Sequence, residues 1–153
     1  SINLSGRDMV DGDVSALVLN LLNKSNIASR VVFEIVEDEE LKNVERVSNF
    51  IERVKSMGAK IAIDDFGSGY SNFSYIIKIK PDYVKIDGSI IKDIDINKDS
   101  YAIASAIVAF AKDLGIKTIA EYVHSKEIFN VCKEIGIDEF QGFYLGIPSK
   151  KAF

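Results

Sequence analysis

Short apolar runs alternate along this chain with stretches whose apolar residues recur every three or four positions. The runs at 31–37 (VVFEIVE), 60–65 (KIAIDD), 83–87 (YVKID), 117–123 (KTIAEYV) and 139–145 (EFQGFYL) are rich in β-branched and aromatic residues and predict strands. Residues 1–4 (SINL) read as the tail of one more, making six strands. In 39–57 the set Leu41, Val44, Val47, Phe50, Ile51, Val54 and Met57 forms a single stripe at helical spacing. Helices are also predicted over 14–25, 99–114 and 125–135. Asp13 is expected to cap the first of these, with Val14, Leu17, Val18, Leu21 and Leu22 as its apolar face. Gly58, Gly115 and Gly136 follow the other three helices as stop residues. This regular alternation implies a parallel sheet covered by helices. A dinucleotide-binding fold would want GxGxxG after its first strand, and a P-loop would want Gly-Lys-Ser/Thr; the sequence has neither. Polar residues gather at the strand ends that precede helices, which favours a β/α barrel.

Composition narrows the class. The 153 residues are 47% hydrophobic and 27% charged, the proportions of a globular domain able to bury a core. Nineteen Lys and Arg against 23 Asp and Glu leave a net charge of −4, so DNA or RNA is a poor partner. A phosphate ligand would need metal ions to supply positive charge. No apolar run approaches the roughly 20 residues of a membrane-spanning helix. The opening SINLSGRDMVDGD has no basic region before an apolar stretch, as a signal peptide would. Cys132 is the single cysteine, which excludes an internal disulfide and fits a reducing, cytoplasmic setting. With two prolines and no Ser/Gly-rich linker, residues 1–153 read as one domain.

The acidic and amide residues then fall into a pattern. Asn3 ends the first, partial strand and Glu34 lies at the centre of the second. Asp64 and Asp65 close the third, Lys85 and Asp87 the fourth, Glu121 the fifth, and Gln141 lies in the sixth. In a β/α barrel such strand ends converge on one mouth, where chemistry is built. Four or five carboxylates in one mouth repel unless cations neutralise them. Oxygen donors, an amide among them, suit Mg2+ or Mn2+ rather than zinc. Adjacent aspartates allow one to bridge two ions and the other to reach the second, as in two-metal phosphoester hydrolysis. For Asp87, followed by GSII, helix capping competes evenly with a catalytic role. Glu34 and Glu121 are harder to read as structural, since buried carboxylates are rare without a partner. Lys85, between Val84 and Ile86, should point to the interior as an ion pair or an electrostatic catalyst, the second being favoured. His124 reads as a surface or supporting residue and Cys132 as a core thiol.

These residues resemble the EAL family of bacterial cyclic-di-GMP phosphodiesterases. The motifs are INLS at 2–5, FEIVE at 33–37, DDFGSGYSN at 64–72, VKID at 84–87, AEYVH at 120–124 and QGFYLG at 141–146. Together they cover essentially the whole chain, and DDFGSGYS is the most specific. The resemblance implies a TIM-like α/β barrel that hydrolyses cyclic di-GMP to linear pGpG with two Mg2+ or Mn2+ ions. It implies that Asn3, Glu34 and Asp64 hold the first metal. Asp64, Asp65 and Glu121 would hold the second, Glu121 also acting as a base. Lys85 would hold the nucleophilic water, with Gln141 supporting the site. Residues 65–72, with Phe66, Gly67, Ser68 and Gly69, match a loop linking substrate, metal and dimerisation, anchored by Glu37. Gly67 and Gly69 would let that loop reshape.

The departures carry their own expectations. The family's Glu-x-Leu strand end, with a further metal-binding glutamate, lies upstream of Asn3 in family members. The chain is therefore expected to hold about six of roughly eight βα units. It is expected to be a fragment of a larger protein, whose upstream domains are open to membrane anchoring, or to associate through open strand edges, as a homodimer for example. Loss of that ligand would weaken the affinity for the first metal on the order of 10–100-fold or more and lower or abolish turnover by this chain. The family's AEGVE is AEYVH here, Tyr122 replacing a glycine and His124 a glutamate, and Ile147 replaces a basic residue. A bulky Tyr122 near the mouth is open to two readings, narrowing the pocket or stacking on a guanine. AEYVH and the absent Glu-x-Leu support an alternative from another class, a degenerate domain that binds cyclic di-GMP or a protein without cleaving it. A Mg2+ barrel with Lys85 as carbon-acid base is a third reading, but it leaves the paired aspartates without a role.

Overall fold

The structure, a computed structural model, describes residues 1–25, 27–36, 44–69 and 73–148. Six strands, β1 (Ile2–Leu4), β2 (Val32–Val36), β3 (Lys60–Phe66), β4 (Tyr83–Ile86), β5 (Lys117–Ala120) and β6 (Glu139–Phe140), follow one another in sheet order as in sequence. β1 pairs with β2, β2 with β3 and β5 with β6, all in parallel. The intervening helices are α1 (Gly6–Val10), α2 (Gly12–Ser25), α3 (Val44–Ser56), α4 (Phe73–Ile79), α5 (Gly88–Ile91), α6 (Lys98–Asp113) and α7 (Lys126–Glu134). The fold is α/β, as the alternation predicts. The first segment of the predicted 39–57 helix, with Leu41, lies outside the described residues.

Two compact units divide the chain. The first takes Ser1–Asp64 and Asn72–Tyr83. Its core is built from the strand positions Phe33, Ile35, Ile61 and Ile63 and from the α3 stripe Val47, Phe50, Ile51 and Val54. Phe33 and Phe50 meet edge-to-face with centroids 6.4 Å apart. The helix α2 departs from expectation. Asp11, not Asp13, caps it, accepting the backbone N–H groups of Asp13 and Val14 at 2.9 and 3.0 Å. Leu19 and Leu22 are its buried residues, whereas Leu17 and Leu21 are 58% and 57% exposed. A stripe of leucines fixes that a helix is amphipathic, not which side another element covers.

The second unit takes Asp65–Ser71 and Val84–Phe153. Asn97 caps α6, accepting from Asp99 and Ser100, and Ser125 caps α7. One device recurs in both units. In the first, the Asp82 carboxylate accepts the Ile61 amide at 2.9 Å; in the second, Asp138 accepts the Thr118 amide at 2.8 Å and its hydroxyl at 3.1 Å. Each aspartate precedes a strand and ties the preceding strand to it, so the buried Thr118 is satisfied.

Cys132 is fully buried in α7, and desolvation pushes its thiol up to about 11 from an ordinary 9.0. At pH 8 the folded chain should therefore react with iodoacetamide about 100-fold more slowly than the urea-unfolded chain, because its thiolate fraction is lower by that factor. Because the folded value is raised, burial stabilises fully below pH 9 and the benefit is lost as pH rises towards 11. Mass spectrometry of the alkylated peptide checks this; equal rates would contradict it.

Candidate active site

Strand register places the polar residues of the first unit. Asn3 is the partner of Glu34 across β1 and β2, and Glu34 is the partner of Ala62 across β2 and β3. Partners in a parallel pair share a face, and so do positions two apart on a strand. Asn3, Glu34 and Asp64 therefore face the same way, opposite to the core residues Phe33, Ile35, Ile61 and Ile63. Glu34 and Asp64 are half-buried and Asn3 is exposed.

In the second unit the centre is an ion pair. Lys85, only 5% exposed, places Nζ 2.9 Å from Oε1 of half-buried Glu121. A buried lysine is tolerated because a carboxylate meets it. Strand alternation sends Val84 and Ile86 to one face and Lys85 to the other. The Glu121 amide donates to the Ile86 carbonyl at 3.3 Å, which places Glu121 just past the end of β5 and beside β4. Carboxylate oxygens of Asp65 and Glu121 lie within 4.8 Å of each other. In a regular strand, consecutive Asp64 and Asp65 would point to opposite faces. Asp65 instead adopts φ +53°, a left-handed conformation that Asp tolerates better than most side chains. The turn that follows is closed by the Ser68 amide on the Asp65 carbonyl at 3.3 Å.

A cavity of about 380 Å3 opens beside this pair, lined by Asp87, Gly88, Glu121, Tyr122, His124, Gln141, Gly142 and Phe143. Asp87 caps α5, its carboxylate accepting from the Ser89 amide at 2.9 Å, while its own amide reaches the Phe66 carbonyl at 3.1 Å. Capping thus occupies one of its oxygens. Gln141 is exposed at the cavity wall, its amide held by the Ala120 carbonyl at 2.8 Å. Phe66 is buried, Gly67 half-buried, and Ser68 and Gly69 are exposed. Glu37 and loop residues 70–72 lie outside the described residues. His124 is a surface residue, and its one described ring contact is with Tyr122.

Sequence reasoning passed over Gly88 and Phe143 as cavity residues. Phe143 was hidden in an apolar run that predicts strand to 145, but β6 ends at Phe140. Gly142 accepts backbone bonds from Leu145 and Gly146 at 3.0 and 3.2 Å, so the run turns and leaves Phe143 71% exposed. Gly88 has a signal only in three dimensions: a Cβ there would lie 2.9 Å from that of Tyr122.

The site is thus acidic, oxygen-rich and lysine-braced, a donor set suited to Mg2+ or Mn2+. Curated proteins and solved structures resemble this chain. The chain is 35% identical over 153 residues to the cyclic di-GMP phosphodiesterase PdeB of Shewanella oneidensis, covering 99% of this chain and 18% of that protein. The EAL domain of Mycobacterium smegmatis DcpA matches with a TM-score of 0.89 at 28% identity, over 96% of this chain and 66% of that one. Klebsiella pneumoniae BlrP1, solved with calcium and cyclic di-GMP, matches with a TM-score of 0.82 at 32% identity, over 93% of this chain and 36% of that one. A manganese complex of BlrP1 matches likewise, with a TM-score of 0.81 at 31% identity over 93% of this chain and 37% of that one. The chain thus spans less than a fifth of the curated relative's length. The EAL domain model itself matches residues 1–148, and this chain belongs to the EAL domain family.

Proposed function

We propose that this chain carries the catalytic residues for metal-dependent hydrolysis of cyclic di-GMP to linear pGpG. The observation that carries the reading is the buried Lys85–Glu121 pair with the Asp65 carboxylate within 4.8 Å of Glu121. Asp64, Asp65 and Glu121, joined by Asn3 and Glu34, are the residues that would hold two Mg2+ or Mn2+ ions. Such ions would clamp the phosphate and make a bound water nucleophilic near neutral pH. Lys85 fixes the Glu121 carboxylate and keeps a cation beside the phosphate, where negative charge grows as water attacks. Glu121 would accept the water proton; the new P–O bond would replace the P–O3′ bond, and the same proton, released from Glu121 through solvent, would neutralise the departing O3′. Gln141 orients ligand from the cavity wall. Glu37 and the loop from Phe66 to Gly69 remain in this reading as the coupling segment, and Asp87 as the support beneath it. Residues 1–153 act here as the C-terminal portion of an EAL domain, in the cytoplasm where a lone buried thiol is at home, and self-association through strand edges belongs to the same reading.

One observation favours a second reading, binding without turnover: Lys85 already engages Glu121, so the candidate base starts the reaction partly neutralised. Chromatography separates the two. Cyclic di-GMP incubated with the chain and Mn2+ should yield pGpG, and excess EDTA should abolish it. Calorimetric binding of the dinucleotide in Ca2+ with no product in Mn2+ would overturn turnover by this chain, and the same assay on a longer protein that contains it would separate a truncated enzyme from a binding module.

A further inference from the structure

Tyr122 stands in a conformation its side chain disfavours. Its φ is +56°, in the left-handed region where a bulky residue crowds its own backbone. Burial does not offset that strain, because Tyr122 is 60% exposed. The ring is nonetheless held in place. His124 meets it edge-on, centroids 5.3 Å apart and planes at 60°, and His124 Nδ1 lies 3.2 Å from the Tyr122 carbonyl oxygen. Gly88 leaves room for its Cβ, since any side chain there would collide with it. Tyr122 also lines the cavity that Glu121, Gln141 and Phe143 share. A strained, largely exposed and braced aromatic next to a candidate reacting carboxylate is placed for a ligand.

We propose that Tyr122, propped by His124, is a base-binding platform whose ring face stacks on one guanine of the cyclic dinucleotide. The proposal rests on the reading of cyclic di-GMP as the ligand. The phosphates offer charge alone, whereas a ring face beside the acidic centre gives the purine its own anchor. Stacking of a base on an aromatic side chain is worth about 5- to 150-fold in dissociation constant.

Calorimetry with cyclic di-GMP in Ca2+, with chromatography checking that no pGpG forms during the titration, tests this on the whole chain. Tyr122→Phe should bind within about twofold of wild type, while Tyr122→Gly and Tyr122→Asn should each bind on the order of 10-fold or more weakly. Both of the latter tolerate the left-handed backbone, so their melting temperatures should equal or exceed wild type, which separates lost stacking from lost fold. Wild-type affinity in the Gly and Asn variants overturns the platform and leaves the proposed function standing. A Phe variant as weak as the Gly variant also overturns it, since the hydroxyl would then be the contact. Absence of binding by the wild-type chain overturns the ligand assignment and the platform together.

Discussion

Replacing Lys85 by methionine is expected to lower hydrolysis of cyclic di-GMP by about 100- to 1,000-fold, the scale seen when one group that stabilises transition-state charge is removed. The same change should cost stability. Methionine fills much of the volume but leaves Glu121 without its 2.9 Å partner. Breaking a buried ion pair by deleting one member costs about 3–5 kcal/mol, and the partial exposure of Glu121 argues for the lower end, about 3 kcal/mol. Glu121→Gln keeps the side-chain shape and an oxygen for Lys85 while removing both the proton acceptor and the counter-charge of the lysine. It should lose turnover as fully as the methionine variant and also cost about 3 kcal/mol, because the buried ammonium is left without a carboxylate, so turnover is compared where both variants are still folded. Initial rates of pGpG formation, with urea midpoints on the same samples, decide the matter. A Lys85→Met chain that turns over within threefold of wild type would leave the lysine a purely structural counter-ion.

What the sequence makes legible here follows from what each element depends on. β3 and β4 lie where the runs KIAIDD and YVKID predict them, because a strand buried at every core position writes itself as a continuous apolar run. The helices α4 and α5, seven and four residues long, escape a search for 3.6-residue periodicity that needs several turns to register. The run EFQGFYL shows the opposite failure: Phe143, Tyr144 and Leu145 have strand-like composition but are exposed in a turn, because Gly142 ends the ladder two residues in. For the site, residue types announce the acidic donors and the lysine. They do not announce φ. The left-handed conformations of Asp65 and Tyr122 help to set what the carboxylate and the ring can reach, and in Tyr122 that conformation falls on a bulky residue that usually avoids it. Lys85 was readable as an inward-pointing cation; its choice of Glu121 was not, since nothing in the sequence fixes the β4–β5 register.

Gly142 gives the second large effect, and it is expected from backbone alone. A Cβ at this position would collide with the carbonyl oxygen and amide nitrogen of Val123 and lie 2.6 Å from its carbonyl carbon. No rotamer relieves a clash with backbone, so Gly142→Ala must push the 141–146 turn away from the Val123 segment. The bonds at risk are Val123 N–H to the Gln141 carbonyl at 3.0 Å and Tyr144 N–H to the Val123 carbonyl at 3.1 Å. Overpacking costs about 1–3 kcal/mol and each lost hydrogen bond about 1 kcal/mol, so a total near 3 kcal/mol is expected. For a chain of this size that lowers the melting temperature by about 6–12 °C. Gly146→Ala is the control, because no atom lies within 4 Å of a Cβ there, and it should melt within about 1 °C of wild type. Gln141 and Phe143 flank Gly142 on the cavity wall, so the displacement should also weaken cyclic di-GMP binding in Ca2+ at temperatures where the variant is still folded. Equal melting temperatures for the two alanine variants would mean that the turn yields without cost, and that the glycine serves something other than this close approach.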